Sequence, residues 1–411
     1  MKLTGNNYDT IIIGGGPAGL LAAASLKNSR VLLIEKGEQP GRKLLISGSG
    51  QCNYTHAGKI YDFLKHYGRN FRFLKQAFKS FSNEDTIRFF KEFGLESIED
   101  KNGKIFPASL NSNDVLRVLL EKCRDSKVNI LNANPVKKVE YSDNSFLVST
   151  EKASYNSKNL IIATGGLSYP KTGSTGDGYK FAEMLGHTIV TPKPALSPVF
   201  VRDYQMAHLM GISLSSVSVN LYRDGKKTGE NTGDIVFTHK GLSGPGILDF
   251  SRYIHDGDNL KLILTGLSPD NFNRKFIADA QKNGKETLQS WLKAYDIPRN
   301  LLRFLIHQAE AEPNDQIAGI SRNIRFRLSE LLCECPFIVE KIAGYKSAMV
   351  TAGGVALEEV SSRTMESKLI SHLYFAGEVL DIDGDTGGYN IQAAFSTAFL
   401  AAKSINSKSA Q

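Results

Sequence analysis

A short β-branched apolar run at residues 10–13 is broken by glycines at 14–19. An Ala- and Leu-rich stretch follows at 20–26, then a second apolar run at 31–34 that Glu35 closes. Short apolar runs bounded by turn residues predict strands, and the Ala/Leu segment predicts a helix. This strand–turn–helix–strand unit predicts a parallel sheet buried on both faces, and so an α/β fold. The polar, glycine-rich positions 41–56 read as a long loop. Helices are expected at 70–80 and 83–93, with Ser82 and Asp85 spaced as a capping box for the second. Asn102-Gly103 signals a hairpin, and Ser112 or Asn113 caps a helix running to about Arg124. Strands at 136–141 and 145–150 are joined by Asp143-Asn144, and a buried strand at 159–163 ends in Thr164-Gly165-Gly166.

The pattern changes near Pro192-Lys193-Pro194. Short strands at 213–221, 234–238 and 259–264 predict an inserted β domain. Residues 270–334 turn helical and hold the only tryptophan, Trp291. Near Tyr345 short strands and glycines return, at 348–354 and 373–377, before an Ala-rich helix from 388 to about 404. The expected domains are therefore 1–192 with 345–411, a β insert at 193–268 with 335–344, and a helical subdomain at 269–334.

Composition narrows the function classes. The 411 residues, 41% hydrophobic and 22% charged, suit two or three globular domains. No apolar run approaches the ~20 residues that cross a bilayer, so no membrane partner is expected. The N-terminus does not read as a signal peptide. Cys52, Cys123, Cys333 and Cys335 lack disulfide-scaffold, zinc or redox spacing, which suggests a reducing cytoplasm. The net charge of +8 raises nucleic acid as a partner. The basic residues are dispersed, however, and Lys65, Arg69, Arg72, Lys75 and Lys79 read as solvated helix faces. A small-molecule substrate is favoured, and the oligomeric state is left open.

The strongest chemical signal is Gly14-Gly15-Gly16-Pro17-Ala18-Gly19, a G-x-G-x-x-G between a strand and a helix. Gly14 permits the tight turn, Gly16 lets the backbone approach a pyrophosphate, and Gly19 lets the helix pack on the strand. The helix N-terminus offers N–H groups and a positive dipole end to phosphate. Glu35 closes the second strand, where a carboxylate binds ribose hydroxyls and disfavours a 2′-phosphate. FAD or NAD is thus expected over NADP at this site. The order of three further pieces favours FAD: Ala163-Thr164-Gly165-Gly166, then Ala376-Gly377-Glu378, then Gly387-Gly388-Tyr389-Asn390-Ile391-Gln392 opening the last helix. A helix N-terminus at the flavin N1–C2=O edge would stabilise reduced flavin.

Five further stretches support a family resemblance. They are Gly41-Arg42-Lys43 through Cys52-Asn53, Ser168-Tyr169-Pro170 through Gly178, Phe237-Thr238 through Pro245, Thr351-Ala352-Gly353-Gly354-Val355, and Thr364-Met365-Glu366-Ser367-Lys368 with Gly377 through Gln392. On these the sequence resembles, over nearly its whole length, the bacterial NAD(P)/FAD-dependent oxidoreductases of the aminoacetone-oxidase-like and bile-acid-reductase-like flavoproteins. The resemblance implies a Rossmann-like FAD domain of the two-dinucleotide-binding type, built from both chain ends, with β-barrel-like and helical insertions. It assigns FAD contacts to Gly14, Gly16, Ala18, Gly19, Glu35, Lys36, Arg42, Lys43, Asn53, Thr164, Gly165, Gly377, Glu378, Gly388, Tyr389, Asn390, Ile391 and Gln392. Val136 matches the position whose backbone meets the adenine. Two departures stand out: Ser47-Gly48-Ser49-Gly50-Gln51-Cys52, where three glycines and often Arg are common, and His56, where Asn is usual.

Cys52 has no partner at C-x-x-C or C-x₄-C spacing, so buried packing is favoured over a redox role. His56 and His239 are read as structural hydrogen-bonders and Tyr169 with Lys171 as a cofactor or substrate loop. No metal constellation, G-x-S-x-G elbow or Walker A sequence is present. No second nucleotide fingerprint is present either, so either NAD(P)H docks transiently against the flavin or the organic substrate itself reduces it. The expected activity is hydride transfer between flavin N5 and a small organic substrate, in a cleft between the FAD domain and the insert. An oxygen-using amine or aminoketone oxidase, a tRNA-modifying flavoprotein and a flavin sensor are the alternatives.

Overall fold

The structure, a computed structural model, describes residues 6–409. The chain divides into two units, residues 1–195 with 345–411, and residues 196–344.

In the first unit, seven strands form one sheet whose core is carried by runs with no polar interruption. Ile11–Ile13, Val31–Ile34 and Leu160–Ile162 are at most 4% exposed, as expected for a sheet covered on both faces. The sheet centres on Ser154–Ile162, longer at its start than the sequence pattern suggests. One edge of that strand runs parallel to Asn7–Ile13. Its other edge is shared: the first half pairs antiparallel with Ser145–Thr150, and the second half pairs parallel with Leu373–Phe375. The far end of the chain thereby enters the sheet beside its beginning.

Register then does the decisive work. Ile13 lies opposite Ile34 and Ile162, and Ile162 lies opposite Phe375. Four parallel strands therefore finish level, and Gly14, Glu35, Thr164 and Gly377 all follow at the carboxyl edge. Crevices at this edge are where open α/β sheets bind ligands.

Local details depart from the sequence pattern where tertiary bonds compete. The helix expected at 70–80 covers only Lys75–Ser80, after a 3₁₀ stretch at Leu64–Asn70 kinked at Gly68. The 41–56 loop contains a short helix, Arg42–Leu45. The Ser82–Asp85 capping box is formed. The next helix is capped by Asn111 instead of Ser112 or Asn113, because Ser112 Oγ donates to the Leu45 carbonyl at 2.8 Å.

The second unit holds a closed six-stranded barrel: Val199–Val201, Gly241–Ser243, Lys226–Phe237, Ser213–Arg223, Asn259–Ile263 and Cys335–Ile342. The expected strand at 234–238 is the tail of Lys226–Phe237, which turns at Asp224-Gly225, both with φ > 0. Barrel residues such as Val219 and Leu260 share one apolar core with Phe272, Trp291 and Leu305 of the helical segment. Among the described residues no helix is long and apolar enough to cross a membrane.

Candidate active site

The three fingerprint glycines are required for different reasons. Gly14 has φ +108°, and a Cβ there would sit 2.5 Å from the Ala163 carbonyl oxygen. A Cβ on Gly19 would fall 1.9 Å from the Gly14 oxygen, so only glycine lets the Pro17–Ser25 helix pack on the turn. A Cβ on Gly16, at the helix N-cap, would meet nothing within 4 Å. The protein itself leaves that space free, at the N–H end of the helix, where a pyrophosphate would lie.

Glu35 is held by two backbone donors. Gly15 N–H donates to one carboxylate oxygen at 2.7 Å and Gly37 N–H to the other at 2.6 Å. Each oxygen keeps acceptor capacity, so the carboxylate is fixed in place and still able to accept from a ribose. Asn134 N–H donates to the Glu35 carbonyl at 3.0 Å, which sets the start of the Val136–Ser142 strand near the same end. Gly165 has φ +73° at the carboxyl edge, and the buried Thr164 Oγ has no protein partner. An open cradle at Gly16 and an anchored acid at Glu35 fit an extended dinucleotide such as FAD, while the Thr164 hydroxyl is packed against Gly178.

The basic residues assigned to the cofactor are engaged with other parts of the protein. Lys43 Nζ bonds Glu378 at 2.7 Å and Ser168 Oγ at 2.5 Å. Ser168 Oγ also donates to Glu378 at 2.9 Å, as does Thr351 N–H. Four stretches up to 335 residues apart thus meet at one carboxylate. Lys36 pairs with Asp177 at 2.7 Å and also touches Thr175. Arg42 donates to the Lys171 carbonyl at 2.9 Å. Ser168, Thr351 and Asp177 lie inside the family-like stretches, but sequence spacing gave them no role, because their partners are distant in the chain.

The last helix, Tyr389–Ser409, opens differently. Gly387 and Gly388 have φ +118° and +93°, and a Cβ on Gly388 would lie 2.4 Å from the Thr55 oxygen. The Asn53 amide clamps this entry, accepting from Gly388 N–H at 3.1 Å and donating to the Thr55 and Ile105 carbonyls. The side chains that follow turn inward. Gln392 is fully buried; it accepts from Thr55 and Thr86 and donates to Ser396 and the Phe81 carbonyl. Asn390 clasps the backbone of Gly384 and Asp385. The buried Tyr389 ring stacks between His66, 4.0 Å away, and His56, 5.0 Å away. The side chains of Gln392, Asn390 and Tyr389 are therefore structural, and what this entry offers a ligand is its backbone. Ile391 is half-buried at the same turn. Gly377, at φ +76°, packs within 2.9 Å of Ala18 through a would-be Cβ, which explains the small residue at 18.

Cys52 is fully buried with φ +60°, and burial pushes its thiol up to about 12 despite a bond from Ser47. It is a structural thiol.

Comparison with known proteins agrees with this geometry. Residues 8–404 match the family model described as the HI0933-like protein Rossmann domain. The chain belongs to this flavoprotein family. A ribosomal RNA dihydrouridine synthase of Haemophilus influenzae is 34% identical over 407 residues, covering 97% of this chain and 98% of that protein. A 3-dehydro-bile acid delta(4,6)-reductase of Clostridium scindens is 29% identical over 404 residues, covering 95% and 97%. A solved 3-ketosteroid-delta4-(5alpha)-dehydrogenase of Rhodococcus jostii shares the fold, with TM-score 0.51 and 13% identity over 100% of this chain and 98% of that one. The coarse activity of the family is FAD-dependent oxidoreduction.

Proposed function

We propose that this protein is an FAD-dependent reductase that saturates a carbon–carbon double bond, with a uridine of ribosomal RNA as substrate and NAD(P)H as electron donor. The observation that carries the reading is the full-length, 34% identical relative named a ribosomal RNA dihydrouridine synthase. The reaction balances as uridine plus NAD(P)H plus a proton giving dihydrouridine plus NAD(P)⁺. This reading departs from the small-molecule expectation drawn from dispersed charge.

When bound, FAD supplies two-electron hydride chemistry. The chain's own contribution is binding and orientation. Gly16 and the Pro17–Ser25 helix N-terminus receive the pyrophosphate, and Glu35, anchored by two N–H groups, receives the adenosine ribose. Glu378, fixed by Lys43, Ser168 and Thr351, holds the carboxyl edge of the sheet rigid. The Tyr389–Ser409 helix N-terminus supplies a positive dipole end to charge that develops on reduction.

The test is direct. FAD-loaded protein is mixed with NADH or NADPH and unmodified ribosomal RNA, and nucleosides are read by mass spectrometry. Dihydrouridine formation is the expected result. Flavin reduction with turnover of a steroid enone and none of RNA would move the substrate to the chemistry of the bile-acid relative. Peroxide from an aminoketone without any reduction by nicotinamide would overturn the reductase reading altogether.

A further inference from the structure

Residues 59–79 carry six Lys or Arg and one acid, Asp62. Lys59, Lys65, Arg69, Arg72, Lys75 and Lys79 are all exposed. Only two of the six meet a carboxylate: Lys65 contacts Asp62 at 2.9 Å, and Arg69 reaches Asp381 at 3.7 Å. Among the described residues no carboxylate pairs with Lys59, Arg72, Lys75 or Lys79. A solvated helix face usually intersperses the two signs, and this segment does not. It is not a continuous helix either, since Gly68 (φ +51°, ψ −136°) breaks it. Two aromatics accompany the charge: Tyr61 is 78% exposed, and Phe71 carries the Arg72 guanidinium 5.6 Å above its ring.

The segment is tied to the candidate active site. The His66 carbonyl accepts from Asp385 N–H at 2.9 Å. Tyr67 OH donates to the Tyr389 carbonyl at 2.7 Å, and the Asn70 amide to the Asp381 carbonyl at 2.6 Å. The basic segment is thus anchored to residues 381–389, which lead into the last helix.

We infer that residues 59–79 form the surface that grips the phosphate backbone of the RNA substrate and presents its base to the flavin site. The inference rests on the RNA reading above and adds the docking surface to it. Unpaired Lys and Arg displace counterions from phosphates, and an exposed ring such as Tyr61 gives a base a stacking face.

The experiment uses the FAD-loaded protein, a labelled oligouridylate for binding and ribosomal RNA for turnover. In the K65Q/R69Q/R72Q/K75Q variant, affinity for the oligouridylate should fall at least tenfold at low salt. The slope of log Kd against log salt should flatten by about 3, at about 0.7 per lost single-strand phosphate contact. KM for ribosomal RNA should rise, while the flavin spectrum, the melting temperature and flavin reduction by NAD(P)H stay unchanged. The control is R274Q/R322Q/R325Q, in the groove beside Phe326 on the second unit. If the first variant binds and turns over RNA as the wild type does, or if only the control loses RNA, this inference falls and the RNA reading stands. If the wild type neither binds oligouridylate nor forms dihydrouridine, both fall. Binding of the segment to phosphatidylserine vesicles in place of RNA would also overturn it.

Discussion

In the first unit the Pro17–Ser25 and Tyr389–Ser409 helices both follow glycine-rich turns, and they use them in opposite ways. At Gly14–Gly19 the outer glycines are pressed by backbone, while Gly16 faces space that nothing in the protein fills. At Gly387-Gly388 the missing Cβ positions are hemmed in by Thr55, Asn53, His56 and the Tyr389 ring. The first turn leaves its central Cβ position open; the second presses its Cβ positions against the protein, so only its backbone faces outward to a ligand. A glycine motif therefore does not announce its role. The role depends on whether the missing Cβ would collide with the fold or with a ligand.

Substitutions can break that contrast. Gly19→Ala should have the largest effect, because its Cβ would lie 1.9 Å from the Gly14 oxygen. A loss of about 3 kcal/mol or more, or failure to fold, is expected in thermal unfolding. Gly388→Ala places a Cβ 2.4 Å from the Thr55 oxygen at φ +93°, and about 2–3 kcal/mol should be lost. Gln392→Leu strands the buried Thr55 hydroxyl, whereas Thr86 and Ser396 keep their bonds to the Ser82 and Phe81 carbonyls, so a loss of about 1–3 kcal/mol is expected, with the bound-flavin spectrum unaltered. A shifted spectrum with unaltered stability would instead make Gln392 a ligand-facing residue and undo the comparison. Gly16→Ala should leave apoprotein stability within about 0.5 kcal/mol while weakening FAD binding at least tenfold by titration. Equal loss at Gly16 and Gly19 would show that both glycines serve packing alone.

The smallest effect concerns pH. Burial lowers the His187 pKa below its ordinary value, partly offset by Glu359, and His187 Nε2 bonds Ser367 Oγ at 2.8 Å. The unfolded chain then binds the proton more readily than the folded one. Stability from this site is fully present above the ordinary His value and is lost as pH falls below it. The melting temperature should decline across mildly acidic pH, and His187→Gln should flatten that part of the profile.

Much of the site is legible in the sequence because its rules are local. The turn, the helix after it and the acid closing the second strand need only near neighbours, as does the Ser82–Asp85 capping box. The meeting of Lys43, Ser168, Thr351 and Glu378 is not legible, since its bonds span from 27 to 335 residues of chain and no local spacing rule reaches that far. The Asn111 cap is hidden for the same reason: Ser112 Oγ finds its partner in the Leu45 carbonyl, 67 residues earlier in the chain. The inward turn of Tyr389, Asn390 and Gln392 was equally hidden, because polar side chains at a helix start look alike whether they meet a ligand or a buried carbonyl.

By itself the sequence determined that a dinucleotide turn exists, that a returning C-terminal segment completes the unit, and which side chains carry charge. Only the tertiary structure decided which glycines leave room, which polar groups are already satisfied, and which four strands end level. Local steric rules act through a few bonds of chain, whereas the occupancy of a space depends on every segment that could fill it.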